Sequence, residues 1–108
     1  MANIPEPDRA AMYSNVLFLA GKTRFADLTI NTTGDQTAAL PGGFYDVWAQ
    51  YDFHVNVSAS NALTGFNTTT GYRALGNYQP ITVFVPDQGK IAGIAVSTNT
   101  VLSGMKVS

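Results

Sequence analysis

Cysteine is absent from this chain, which removes disulfides, thiolate nucleophiles and cysteine-held metals together. Histidine occurs once, at His54, so no two-histidine metal site can form within one chain. Charge is also scarce, at 12% of the 108 residues against the ~25% usual for a soluble domain. The six basic residues (Arg9, Lys22, Arg24, Arg73, Lys90 and Lys106) are scattered over a chain of net charge −1. Binding to nucleic acid through phosphate needs a basic stripe, and none is present. No polybasic or amphipathic segment points to a membrane surface, and the longest apolar run, Val16 to Ala20, is far too short to span a bilayer. The opening MANIPEPDRA lacks an apolar signal core, so the expectation is synthesis in the cytoplasm without a signal peptide. Nucleophile-elbow, phosphate-loop, dinucleotide and CxxC patterns are all missing.

What remains is apolar, aromatic and rich in Thr, Asn, Ser and Gly. The apolar fraction of 45% is ordinary for a globular domain, and the length suits a single core. With so little charge, the polar surface must come from uncharged side chains. That fits a protein partly covered by neighbouring subunits, because interface cores are depleted in charge.

The longest aromatic and β-branched run is Phe44 to Ser58, FYDVWAQYDFHVNVS, which holds the sole Trp48 and the sole His54. At period two, Tyr45, Val47, Ala49 and Tyr51 share one face and Asp46, Trp48 and Gln50 the other. Phe53, Val55 and Val57 then alternate with His54, Asn56 and Ser58. The run predicts two strands, or one bent strand, at the centre of an antiparallel domain. Periodicity does not say which face is core. Trp48 inward makes the run a core element, and Trp48 outward makes it a contact surface.

Around this run the chain is punctuated by turns. Residues 1–13 read as an extended N-terminal arm set by Pro5 and Pro7, with Ile4, Met12 and Tyr13 available for docking; the alternative is a frayed terminus. Val16 to Ala20 is a first strand and Thr23 to Ile30 an edge strand. Asn31 to Ala38 is a turn region, and Leu40-Pro41-Gly42-Gly43 is a tight entry to the central run. Ser58 to Arg73 is a long polar stretch, either a short hairpin or a surface loop that presents Phe66 to a partner. Ala74 to Gln79 turns the chain, and Pro80 opens a strand with Ile81, Val83 and Val85 inward. The turn Pro86-Asp87-Gln88-Gly89 leads to Lys90 to Ser97 as hairpin partner, and Thr100 to Val107 completes an expected meander. The pattern predicts an all-β domain over 14–108, an antiparallel β-sandwich, jelly roll or small barrel, carrying the arm.

Chemistry is thin. Asp46, Asp52 and His54 could gather on one sheet face as a base and its orienter, and copies of His54 could meet around an oligomer axis. The bland reading, a hydrogen-bonded polar face, outweighs both, so no catalytic, cofactor or metal residue is expected.

The segments LPGGFYDVWAQYDFHVNVS and PITVFVPDQGKIAGIAVSTNTVLSGMKV resemble small structural proteins of tailed-bacteriophage virions. The resemblance covers roughly residues 40–107 and implies a β-sandwich or jelly-roll decoration or cement protein. It also implies the major capsid protein or other virion proteins as partners and a place on the capsid surface. Dimers or trimers are expected, with contacts from Ile4, Pro5, Pro7, Met12, Tyr13 and Phe66. The rival is a carbohydrate-binding module on a fibre or host-facing surface, using Trp48 or the tyrosines as stacking platforms.

Overall fold

The computed structural model describes residues 24–108, and among them there are eight strands and no helix. They are β1 (Leu28–Ile30), β2 (Asp35–Gln36), β3 (Gly43–Trp48), β4 (Phe53–Ser58), β5 (Tyr72–Ala74), β6 (Ile81–Val85), β7 (Lys90–Ala95) and β8 (Thr100–Lys106). The predicted arm at 1–13 and first strand at Val16 to Ala20 lie outside the described residues.

The strands form two antiparallel sheets, ordered β1-β8-β3-β6 and β2-β7-β4-β5. The pairing is nested. Leu28 faces Leu102, Gln36 faces Ala92, Leu40 faces Gly89, Gly43 faces Val85, Val47 faces Ile81, Phe53 faces Ala74 and Val55 faces Tyr72. One continuous antiparallel ribbon therefore runs from the β1–β8 end to a tip at β4–β5. Its two arms fold over so that β3 also pairs with β8 and β4 with β7. This corrects the expected meander: β6, β7 and β8 lie in alternate sheets, and the Pro86–Gly89 turn crosses between layers. The turn itself forms as expected, with the Gly89 amide donating to the Pro86 carbonyl at 2.8 Å and Gln88 at φ 64°.

The core lies between the sheets. Tyr45, Val47 and Ala49 point into it from the first sheet, and Phe53, Val55, Ile91 and Ala95 from the second. Phe53, Val47 and Ile91 are fully buried. Tyr45 fits because its hydroxyl donates to the Pro41 carbonyl at 2.7 Å, and burial raises its pKa above the usual phenol value. Tyr51, expected to share a face with Tyr45, Val47 and Ala49, is 45% exposed, because β3 ends at Trp48 and the chain turns before β4 begins.

Strand β7 is apolar on both faces, Ile91 to Ala95 all being buried. The reason is a second, smaller cluster on the outer face of the second sheet. There Ala62 and Phe66 pack on Ala92 and Ile94, with Leu63 at the margin. The 59–71 segment thus folds back as a flap. Asn56 Nδ2 donates to the Ala62 carbonyl at 2.9 Å, and the Ala62 amide donates to Gln36 Oε1 at 2.9 Å.

Candidate functional site

The structure separates the polar residues of the central run. Asp46 lies on the outer face of the first sheet, where Thr82 Oγ1 donates to it at 2.6 Å. His54 lies on the outer face of the second sheet, between Arg73 and Ile94 in register, and is 7% exposed. Its Nδ1 is buried without a hydrogen-bond partner. Asp52 precedes β4, and its carboxylate accepts from the Gly76 amide at 2.7 Å and from Arg73 Nη2 at 3.1 Å, not from His54. Those two donors, the amide first, hold the Asp52 pKa below its usual value. Asp46, Asp52 and His54 therefore do not gather as a base and its orienter. Burial also removes His54 from any surface where copies could meet. Among the described residues, no three of His, Cys, Asp or Glu come together as a metal site.

Phe66 corrects another expectation. It is 9% exposed and belongs to the cluster under its own flap, so it is not presented to a partner. The other expected contact residues, Ile4, Pro5, Pro7, Met12 and Tyr13, lie outside the described residues.

Trp48 points outward on the first sheet, half-buried, with the Arg24 guanidinium 5.9 Å from its ring centroid. That geometry suits a cation–π contact and covers the face a sugar would need. Arg24 is itself tied to Asp27 at 2.7 Å and bridges to Met105 of β8. Along the same face Phe44 and Phe84 sit opposite each other and pack edge to face at 5.3 Å, yet remain 47% and 57% exposed. Val101 adds another exposed apolar side chain on β8. This outer face therefore carries exposed aromatic and aliphatic side chains on either side of the Asp46–Thr82 pair, with no layer of its own chain over it among the described residues.

Strand β6 ends that sheet, and its outer edge pairs with no described strand. Behind it, Ile81 and Val83 of β6 and Val55 and Val57 of β4 line an open cleft of about 630 Å³. Ile81 and Val83 point inward but are only partly buried, because β5 is three residues long and stops short of covering them. The β6 edge thus presents Phe84 on one side and a row of incompletely covered core residues on the other.

A third feature lies at one end of the sandwich, where the β3–β4, β5–β6 and β7–β8 loops converge. Gln50, Tyr51, Asp52, Arg73, Asn77 and Ser97 help line a polar depression of about 260 Å³. The sequence places Asn77 and Tyr78 in a turn, with Tyr78 among the tyrosines available for stacking, and nothing in it singles this turn out from the others. No protein-family model, curated protein or solved structure matches the chain, so its physical features alone carry the functional argument.

Proposed function

We propose that the chain is a virion structural protein, a capsid decoration or cement protein that acts by covering joints between neighbouring subunits and not by catalysis. The observation that carries the reading is the outer face of the first sheet, which no other described residues cover, together with the β6 edge. Exposed large apolar side chains on a soluble domain are ordinary when scattered and informative when contiguous. Here Phe44 and Phe84 touch each other, and the β6 edge adds Ile81 and Val83. A capsid protein seated across β6 would cover Phe84 on the outside and the cleft on the inside in one contact.

Three further points support the reading. We read the nested eight-strand pairing as a jelly roll, a scaffold shared by viral capsid and lectin domains. The 12% charge content fits a surface partly hidden in an assembly. A decoration protein also gains from multivalency, since modest contacts to several subunits sum to a firm clamp.

The test is a Phe44→Ser/Phe84→Ser double variant added to purified heads of the phage that carries this coding sequence, prepared without the protein. Both rings are about half exposed, so the variant keeps its fold and loses about 1 kcal/mol of ring pairing. It should fail to co-sediment with heads that bind the unaltered chain. Equal decoration by both proteins would refute the assignment of this face. Deleting residues 1–12 should weaken head binding further while leaving the β-domain folded. If neither change affects binding, or if the unaltered chain does not bind heads at all, the reading fails.

A further inference from the structure

We infer that the loop end of the sandwich, around Tyr51, Asp52, Arg73, Asn77 and Tyr78, is a binding site for a neutral sugar residue of a glycan. The inference goes beyond the structural role proposed above and uses a surface distinct from the first sheet's outer face.

It starts from the backbone. Asn77 and Tyr78 are consecutive non-glycine residues in the left-handed region, at φ 61° and 59°. Asn tolerates that conformation; a bulky Tyr does so only when its surroundings force it. The forcing contacts are visible. The Gly76 amide donates to Asp52 Oδ1 at 2.7 Å, the Asn77 amide to the Gln50 carbonyl at 2.7 Å and the Tyr78 amide to the Ala49 carbonyl at 2.9 Å. The 76–78 turn is clamped against the 49–51 turn. The result of that strain is a tyrosine ring held 60% exposed on one depression, which shares Gln50 with the depression where Tyr51 is 45% exposed. Strain of this kind concentrates at sites of function. A core would not need it, because neither ring is buried.

The chemistry of the lining selects the ligand class. Asp52 and Arg73 neutralise each other, so the depression offers no net charge to a phosphate or a metal ion. Both keep unused hydrogen-bonding capacity, as an acceptor-only carboxylate and a multiple donor. Gln50 and Asn77 can donate and accept through their amides, and Ser97 and Thr98 through their hydroxyls. Sugar hydroxyls also donate and accept at once, and the C–H face of a pyranose stacks on aromatic rings. Gln50 also borders an adjoining depression of about 400 Å³ that includes Tyr78 and Asn99, which gives a chain of sugar rings a path from one to the other. Of the stacking platforms a carbohydrate module would use, Trp48 is capped by Arg24, whereas Tyr51 and Tyr78 stay exposed.

The test uses the full chain, isotope-labelled, titrated with the methyl glycosides of glucose, galactose, mannose and N-acetylglucosamine while backbone amide shifts are recorded. At least one glycoside should shift the amides of Tyr51, Asp52, Asn77, Tyr78 and Ser97 saturably. Tyr78→Gly, which keeps the left-handed turn without the ring, should weaken that binding about tenfold or more, and Tyr78→Phe should hold it within about threefold. Tyr51→Ala should weaken it as well and serves if Tyr78→Gly does not fold. The inference is overturned if none of the four sugars gives saturable shifts, if the shifts map elsewhere, or if the folded ring-deletion variants bind unchanged. Because the isolated chain is measured, failure here leaves the head-binding result untouched, and the reverse also holds.

Discussion

Gly76→Ala is the sharpest probe of how the loop end is built. Gly76 does not adopt a positive φ, so alanine is excluded there by space alone. A Cβ on Gly76 would come to 2.5 Å from the Gln50 carbonyl oxygen and 2.7 Å from the Tyr51 Cα. Both are backbone atoms, and neither can swing aside as a flexible side chain would. The 76–78 turn must therefore lift off the 49–51 turn. That disrupts the amide bonds from Asn77 and Tyr78, each worth about 0.5–1.5 kcal/mol, and breaks the bond from the Gly76 amide to Asp52. Release of the two left-handed residues offsets the lost amide bonds, which leaves the overlap itself as the net cost, about 1–3 kcal/mol as for overpacking elsewhere. For a domain of this size Tm falls by about 4–8 °C for each kcal/mol lost, read by far-UV circular dichroism at fixed protein concentration. The control is Gly65→Asn: no atom lies within 4 Å of a Cβ at Gly65, and its φ of 70° is one that asparagine accepts, so Tm should barely move. A Gly76→Ala protein that melts within about 2 °C of the unaltered chain would refute the clamp.

Other perturbations test the remaining structure. Phe66→Ala should cost about 2–4 kcal/mol and speed amide exchange across 59–71 and the outer face of β7, while the β3–β8 ladder stays protected. Thr37→Val should cost about 1–3 kcal/mol in chemical denaturation, because Thr37 Oγ1 is the acceptor for the buried Ile91 amide at 3.1 Å. Asp52 has a folded pKa below its unfolded value of 3.8, so its stabilisation is complete well above that pH. The contribution is lost as pH falls from there through the lower folded value. Asp52→Asn should therefore narrow the stability gap to the unaltered protein as the medium becomes more acid than about pH 4, and an unchanged gap across that range would contradict the assignment.

Much of the fold was legible because it rests on alternation. Tyr45, Val47 and Ala49 on one face and Ile81, Val83 and Val85 on another follow from a period of two, and Pro86 to Gly89 follows from turn chemistry. What alternation cannot give is the partner. The same PDQG turn can join neighbours in one sheet or carry the chain across to the other, so the meander was the wrong choice between two equal patterns. The flap had a legible trace that was missed: Ile91 to Ala95 is small or apolar on both faces, the pattern of a strand covered on both sides. Followed through, it would have moved Phe66 inward. The loop end was least legible, since Tyr78 lies in a stretch without period, Tyr51 follows an alternation that stops where β3 ends, and the exposure of both depends on contacts between distant loops.

The nested ribbon also dictates an order of assembly. Phe53 and Ala74 are near each other in sequence, whereas Leu28 and Leu102 are separated by most of the domain. Closing the short loop costs least chain entropy, and each further pair then closes a smaller increment than it would alone. The chain should zip from the β4–β5 tip outward, with the β1–β8 pair the last to register and the first to fray. Because so many contacts are distant in sequence, the overall rate belongs with slow all-β domains, in milliseconds to seconds. Changes near the tip will slow folding, and changes in β1 will mainly hasten unfolding.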